Sequence, residues 1–262
     1  MRKMNEAGKC VKLLTSRTLI LPLVVAALCA GSLLPAQIST GAFQPSKLAP
    51  EQQGDLFMAR KMFREAIEAY REAPQTSAVV WDKIGIAYHQ LGDLAAAKRN
   101  YEKAIKLDPK YSDAINNVGT VLYSQKNYRG AIARYNRALA IAPGAASIWS
   151  NLGTAYYARG KYPEMSQAYA KAIQLDPSVF DSHNSLGTTM QDRSVGDKAR
   201  YHYEMARIYA GAGNKVLALQ YLRKSLEEGF KDKEKIGNAP EFDAWRDTPE
   251  FKDLIALEPR VL

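Results

Sequence analysis

The sequence predicts an all-α fold, a solenoid in which antiparallel helix pairs stack one on the next. Residues of the same type recur every 34 positions. The clearest columns are Gly85, Gly119, Gly153 and Gly187, together with Tyr101, Tyr135 and Tyr169. Within one period, apolar and small residues follow the i, i+3, i+4, i+7 spacing of a helix face, as in Trp81, Ile84, Gly85 and Tyr88. A period of this length indicates a repeated supersecondary unit.

The composition is that of an ordinary globular protein and narrows the possible chemistry. Of 262 residues, 47% are hydrophobic and 24% are charged, with a formal net charge of +9. The only cysteines are Cys10 and Cys29, so the chain beyond them can form neither an internal disulfide nor a cysteine-ligated metal centre. No phosphate-binding loop or zinc-protease motif is present. The sequence therefore predicts no enzyme activity, no metal site and no cofactor.

Residues 1–36 are predicted to be a targeting segment. A basic stretch precedes an uncharged run from Leu19 to Leu34, and small residues follow around Ala36. This order is typical of a secretory signal peptide, and an uncleaved membrane anchor is the alternative. Both predict export from the cytoplasm, to the periplasm, to the medium or to the inner membrane, with membrane contact through this segment alone. Residues 37–47 are predicted to be a linker.

The helical array is predicted over residues 48–230. Its regular units span about 78–111, 112–145 and 146–179, and a shorter, degenerate unit spans about 48–77. In the first regular unit, Gly92-Asp93 separates two helices and Asp108-Pro109 ends the second. Because one unit cannot bury its own apolar face, the large aromatic residues of the columns are expected to pack between helices. They are Trp81, Trp149, Tyr101, Tyr135 and Tyr169.

The motif Trp81-x2-Ile84-Gly85-x2-Tyr88, followed by Ala97-x3-Tyr101 and Pro109, resembles the tetratricopeptide repeat. The resemblance covers about residues 48–254 and implies about five such units.

After residue 179 the period slips. The pattern predicts a first helix over 180–192, a loop at Asp192–Asp197 in place of its partner, and a new unit near Arg200. Residues 231–262 are predicted to cap the array. The pattern around Phe242 and Trp245 resembles the segment that closes such arrays in bacterial proteins, so the expectation is an exported bacterial member of the family.

The resemblance implies that the first helices line a concave groove, with two residues of each helix facing it. The polar columns at and beside these positions are Lys83, Asn117, Asn151 and Ser185; Thr120, Thr154 and Thr188; and Asp82, Asn116, Ser150 and Asn184. Short amides and hydroxyls can bond to the backbone of an extended peptide. The candidate peptide-binding residues are Lys83, Asn116, Asn117, Thr120, Asn151 and Thr154. Asn117 and Asn151 resemble the asparagine ladder of some family members.

These features predict a non-enzymatic scaffold that binds an extended peptide or a partner helix in the concave groove. One alternative is a structural subunit of a cell-envelope assembly, which contacts its partners through the convex face and the C-terminal tail. Another is an enzyme with its site in the irregular segment 180–200. Interleaved charges such as KRNYEKAIK are typical of solvated helix faces, so nucleic acid is not an expected partner.

Overall fold

The computed structural model describes residues 48–181 and 194–257, which belong to one compact unit, and all regular structure in them is helical. The helices are α1 (Pro50–Ala59), α2 (Phe63–Glu72), α3 (Ala78–Gln90), α4 (Leu94–Leu107), α5 (Ser112–Ser124), α6 (Tyr128–Ile141), α7 (Ala146–Ala158), α8 (Tyr162–Leu175), α9 (Val195–Gly211), α10 (Lys215–Glu227), α11 (Lys233–Gly237) and α12 (Pro249–Ile255). A 3₁₀ turn spans Pro240–Phe242. The predicted targeting segment, the linker and most of the predicted helix over 180–192 lie outside the described residues.

Consecutive helices pack in pairs, as the 34-residue period predicts. The pairs are α1 with α2, α3 with α4, α5 with α6, α7 with α8, and α9 with α10. The first four pairs also pack on one another in chain order, through α2 and α3, α4 and α5, and α6 and α7. The prediction of an all-α solenoid is confirmed. In the described part of the chain no helix is both long enough and apolar enough to span a bilayer.

A tight turn joins the two helices of each regular pair. Gly92 and Gly160 occupy the left-handed region in these turns, with φ of +80° and +70°. Lys126 holds the equivalent position between α5 and α6 and adopts φ of +60°. In the left-handed region the Cβ of any residue other than glycine lies too close to the carbonyl oxygen that follows it, at a cost of about 1–2 kcal/mol. The α5–α6 turn therefore contains local strain that its neighbours avoid.

Replacing Lys126 with glycine is expected to stabilise the protein by about 1 kcal/mol, because glycine adopts positive φ without the steric cost. Urea denaturation of both proteins measures the difference. Gln125→Gly is the matched control, since Gln125 has φ of −81° and gains nothing from glycine. Equal stability of Lys126→Gly and the parent would contradict the strain.

The glycine and tyrosine columns meet inside each pair. A Cβ placed on Gly119 would lie 2.6 Å from the Cε1 of Tyr135, and one on Gly85 would lie 2.5 Å from the ring of Tyr101. Gly153 stands in the same relation to Tyr169, and Gly54 to Tyr70 in the degenerate first pair. The four tyrosines are at most 2% exposed. Each glycine therefore provides the space in which the ring of the partner helix packs, and the prediction for the tyrosines is confirmed.

The tryptophans pack less deeply than the sequence predicts. Trp81 and Trp149 are only half-buried at the edge of the core. Their indole N–H groups donate to carbonyl oxygens of the preceding turn, Trp81 to Gln75 at 2.8 Å and Trp149 to Pro143 at 2.9 Å. A buried indole N–H needs an acceptor, and the carbonyl oxygens that serve here lie at the surface. The tryptophans therefore join each first helix to the turn before it.

The prediction of a new unit near Arg200 places its start too late. Helix α9 begins at Val195, and the hydroxyl of Ser194 accepts a hydrogen bond from the backbone N–H of Asp197 at 3.1 Å. This N-cap satisfies one of the free donors of the first turn, so the helix includes residues assigned to a loop. Residues 192 and 193 of that loop lie outside the described part.

The last helix pair is covered by the C-terminal residues. Ile236, Phe242, Phe251 and Leu254 are buried against α9 and α10, and Phe242 contacts Phe251 with ring centroids 5.5 Å apart. A terminal pair in a solenoid has no neighbour to bury its outer face. In this chain the short helices α11 and α12 bury it.

Candidate functional site

The first helices of the regular pairs lie side by side. Helix α3 contacts α5, and α5 contacts α7, whereas the second helices α4, α6 and α8 make fewer contacts with one another. A solenoid curves towards the side on which its helices are closer. The face formed by α3, α5 and α7 is therefore the inner face, and the predicted polar columns lie on these three helices.

Four side chains on this face form a continuous row of hydrogen bonds, which we call the amide row. Asn151 donates its Nδ2 to the Oδ1 of Asn116 at 3.0 Å. Asn116 donates in turn to Asn117 at 3.2 Å, and Asn117 donates to Asp82 at 3.0 Å. The row crosses from α7 through α5 to α3. All three asparagines are half-buried, so they remain open on one side.

Asp82 ends the amide row inside the protein. Asp82 is only 4% exposed, and this burial raises the pKa of its carboxyl group from 3.8 to about 6. The nearby charge of Asp113 raises it further, while hydrogen bonds from Asn117 and from the hydroxyl of Tyr111 act in the opposite direction. A carboxylate only accepts hydrogen bonds, so an ionised Asp82 fixes the direction in which the asparagines donate.

The predicted threonines bond within the fold. The hydroxyl of Thr154 donates to the carbonyl oxygen of Ser150 at 3.0 Å and lies 3.0 Å from the hydroxyl of Tyr169. Thr154 is only 7% exposed. Thr120 is half-buried and accepts a hydrogen bond from Tyr135 at 3.4 Å. Both threonines therefore connect a first helix to the tyrosine of its partner helix.

Lys83 is held by two carboxylates of the degenerate first pair. Its Nζ lies 2.7 Å from Glu51 and 2.8 Å from Asp55. Burial alone would lower the pKa of Lys83, but the hydrogen bonds and charges of Asp55 and Glu51 outweigh it and raise the pKa. The positive charge of Lys83 is thus neutralised by its neighbours. The remaining column members, Asn184, Ser185 and Thr188, lie outside the described residues.

Sequence reasoning missed the connection between the columns. Asn117 bonds to Asp82, and Asn151 bonds to Asn116, each across 35 residues, one more than the period. The polar column of Asp82, Asn116 and Ser150 beside the asparagines was the available signal. Among the described residues no group of three or more His, Cys, Asp and Glu side chains is arranged to hold a metal ion.

Comparison with known protein families agrees with the period and the helix pairs. A family model described as "Tetratricopeptide repeat" matches residues 51–110, and one described as "TPR repeat" matches residues 119–159 and 153–192. Together these matches cover just over half of the chain. The chain belongs to the tetratricopeptide repeat family.

Two curated relatives are fungal. The chain is 31% identical over 103 residues to the heat-shock protein cognate (HSC) co-chaperone sgt12 of Aspergillus fumigatus, a match that covers 36% of this chain and 30% of that protein. It is also 31% identical over 83 residues to small glutamine-rich tetratricopeptide repeat-containing protein 2 of Mycosarcoma maydis, covering 30% and 24%. The chain thus spans less than a third of the length of these relatives.

Two of the solved structures that the chain resembles are bacterial. The structure of pilF from Pseudomonas aeruginosa superposes with a TM-score of 0.51 at 19% identity, and the match covers 79% of this chain and 87% of that one. MamA from Desulfovibrio magneticus gives a TM-score of 0.48 at 22% identity, over 68% and 92% of the two chains. At these identities the likeness to pilF shows the fold alone.

Proposed function

We propose that the chain is a non-enzymatic scaffold that binds an extended segment of a partner protein along the inner face of α3, α5 and α7. The amide row carries this proposal. The amide nitrogen of each asparagine carries two N–H bonds, and one of them donates within the row. The second N–H of each asparagine is available to a carbonyl oxygen of the partner, and the row holds the amides in a fixed orientation before binding.

Recognition through amides favours the backbone of the partner over its side chains. Every residue of an extended segment offers the same N–H and carbonyl groups, and main-chain hydrogen bonds of this kind supply affinity in several peptide-binding folds. The repeat family and the co-chaperone name of one relative support a protein partner. Lys83, Thr120 and Thr154 have a supporting role in this proposal, since each is bonded within the fold.

Alanine at both Asn117 and Asn151 is expected to weaken partner binding about 10-fold to 100-fold. Each of the two substitutions removes a hydrogen bond to the partner worth about 0.5–1.5 kcal/mol, and about 1.4 kcal/mol is tenfold in affinity. The measurement is binding of a partner recovered from the native source by affinity purification. Asn136→Ala, an exposed asparagine on α6, is the control. Unchanged binding by a double variant that keeps its helical circular dichroism would refute the proposal.

The role in a cell-envelope assembly and export from the cytoplasm stay predictions from residues 1–36 and from the C-terminal tail. Mass spectrometry of the protein purified from its native source tests export directly. Cleavage after Ala36 gives a mature chain that begins at Gln37. A chain that retains residues 1–36 in a membrane fraction indicates the anchor instead.

A further inference from the structure

Positive charge is concentrated on two second helices, α4 and α6. Together these helices contain seven basic residues and one acidic residue, whereas α1 and α2 contain two basic and five acidic residues. The basic residues are Lys98, Arg99, Lys103, Lys106, Arg129, Arg134 and Arg137. Within the described part of the chain, the one ion pair among them joins Lys98 to Glu102 at 3.7 Å. Most of this positive charge is therefore not neutralised by the protein itself.

A cleft opens between α4 and α6, which we call the outer cleft. Its volume is about 430 Å³, within the range of small binding sites. Lys98, Arg134 and Arg137 lie around it, and Leu122, Gly130 and Ala133 supply apolar lining. The cleft exists because the second helices are more widely separated than the first helices on the inner face. It therefore lies on the face opposite the amide row.

Three cations beside an apolar lining define the chemistry of a ligand for the outer cleft. A guanidinium group binds a carboxylate through two parallel hydrogen bonds, and Arg134 has no hydrogen-bond or ion-pair partner among the described residues. Arg137 donates only to the carbonyl oxygen of Pro109, at 3.2 Å. An aliphatic side chain entering the cleft would cover Leu122 and Ala133. A ligand that fits the outer cleft would thus combine carboxylates with a neighbouring apolar group.

We propose that the outer cleft binds an acidic segment of a partner protein, one that places an aliphatic side chain between α4 and α6. The concave shape favours a peptide over a membrane, because the headgroups of a flat bilayer would leave the apolar lining uncovered. The lining contains no aromatic ring on which a nucleic acid base could stack. The outer cleft is separate from the inner face. Binding at the outer cleft therefore does not depend on the peptide binding proposed for the inner face.

The test uses a fluorescein-labelled peptide of twelve residues, with one central leucine flanked by aspartates and glutamates, and the full chain. Fluorescence anisotropy measures its dissociation constant at two salt concentrations. Reversing the charge at Arg134 and Arg137 together (Arg134→Glu and Arg137→Glu) is expected to weaken binding at least 10-fold. The matched control, Arg223→Glu with Lys231→Glu, makes the same change in net charge at exposed residues outside the cleft and is expected to bind as the parent does.

Two altered peptides separate the parts of the proposal. A peptide with glutamine and asparagine in place of the acids is expected to lose binding, as is one with glycine in place of leucine. If the glycine peptide binds as tightly as the leucine peptide, the proposed apolar contact is wrong. If both charge-reversed proteins lose the same affinity, binding depends on the net charge of the protein and not on the outer cleft. The proposal would also be overturned if the acidic peptide does not bind and the protein instead cosediments with vesicles containing 30% anionic lipid. If that cosedimentation depends on Arg134 and Arg137, this face binds membranes. Circular dichroism confirms that each variant is folded.

Discussion

Replacing Tyr135 with alanine is expected to lower the free energy of unfolding by about 3–5 kcal/mol, the range for truncation of a large aromatic side chain in a core. Tyr135 is 2% exposed and packs on Gly119, which has no side chain of its own to fill the space that the ring would leave. The change also removes the hydroxyl that donates to Thr120. Chemical denaturation followed by the helical circular dichroism signal measures the loss.

Tyr128→Ala is the matched control, because Tyr128 lies on the same helix and is only half-buried against Tyr123. We expect it to lose clearly less stability than Tyr135→Ala. A second test adds a methyl group: Gly119→Ala should destabilise the protein although alanine favours helices, and the penalty should shrink when Tyr135 is leucine. Additive effects of the two substitutions would show that the glycine and the ring do not act together.

The second large effect is on pH dependence and comes from Asp82. Its pKa of about 6 in the folded protein lies above the ordinary 3.8, so folding favours the protonated form. This contribution to stability is complete below about pH 4 and is lost as the pH rises through 6. At 1.36 kcal/mol for each pKa unit, the ionised carboxylate costs about 3 kcal/mol at neutral pH. Asp82→Asn removes the ionisation while keeping an oxygen that accepts from Asn117.

The comparison needs unfolding free energies of the parent and Asp82→Asn at pH 4 and at pH 7.5. We expect the stability of Asp82→Asn relative to the parent to rise by about 2–3 kcal/mol between the two values. Asp113→Asn is the control, since it removes only a neighbouring charge that raises the pKa of Asp82 and should give a smaller change. A constant difference between parent and Asp82→Asn across this range would contradict the raised pKa.

The architecture could be predicted from the sequence because its signals are local or strictly periodic. Spacing within each helix and the recurrence of Gly119 and Tyr135 are both properties of the chain read in order. The partial burial of the Trp149 side chain could not be predicted in this way, because it depends on where an acceptor for the indole N–H lies. A residue type alone does not report whether its polar atom has a partner in the core.

Only part of the candidate site could be predicted from these sequence signals. The asparagines were identified, but their bonds to one another depend on how far each pair is offset from the next, which the period does not give. The role of Thr154 changed for a related reason, since its hydroxyl faces Tyr169 across the pair. The outer cleft was missed because charges on α4 and α6 that are separate in sequence come to line one cleft only in the folded chain.

The repeated contact between a glycine and the tyrosine of the next helix gives the helix pairs of this chain the same internal packing. Because Gly85 with Tyr101 and Gly119 with Tyr135 form nearly the same contact, a duplicated stretch of 34 residues would bring with it the packing inside its own helix pair. Such a duplication would add one more rung of polar side chains to the inner face. Under the proposed function, the inner face that a partner segment could contact would thus lengthen in fixed steps of one helix pair.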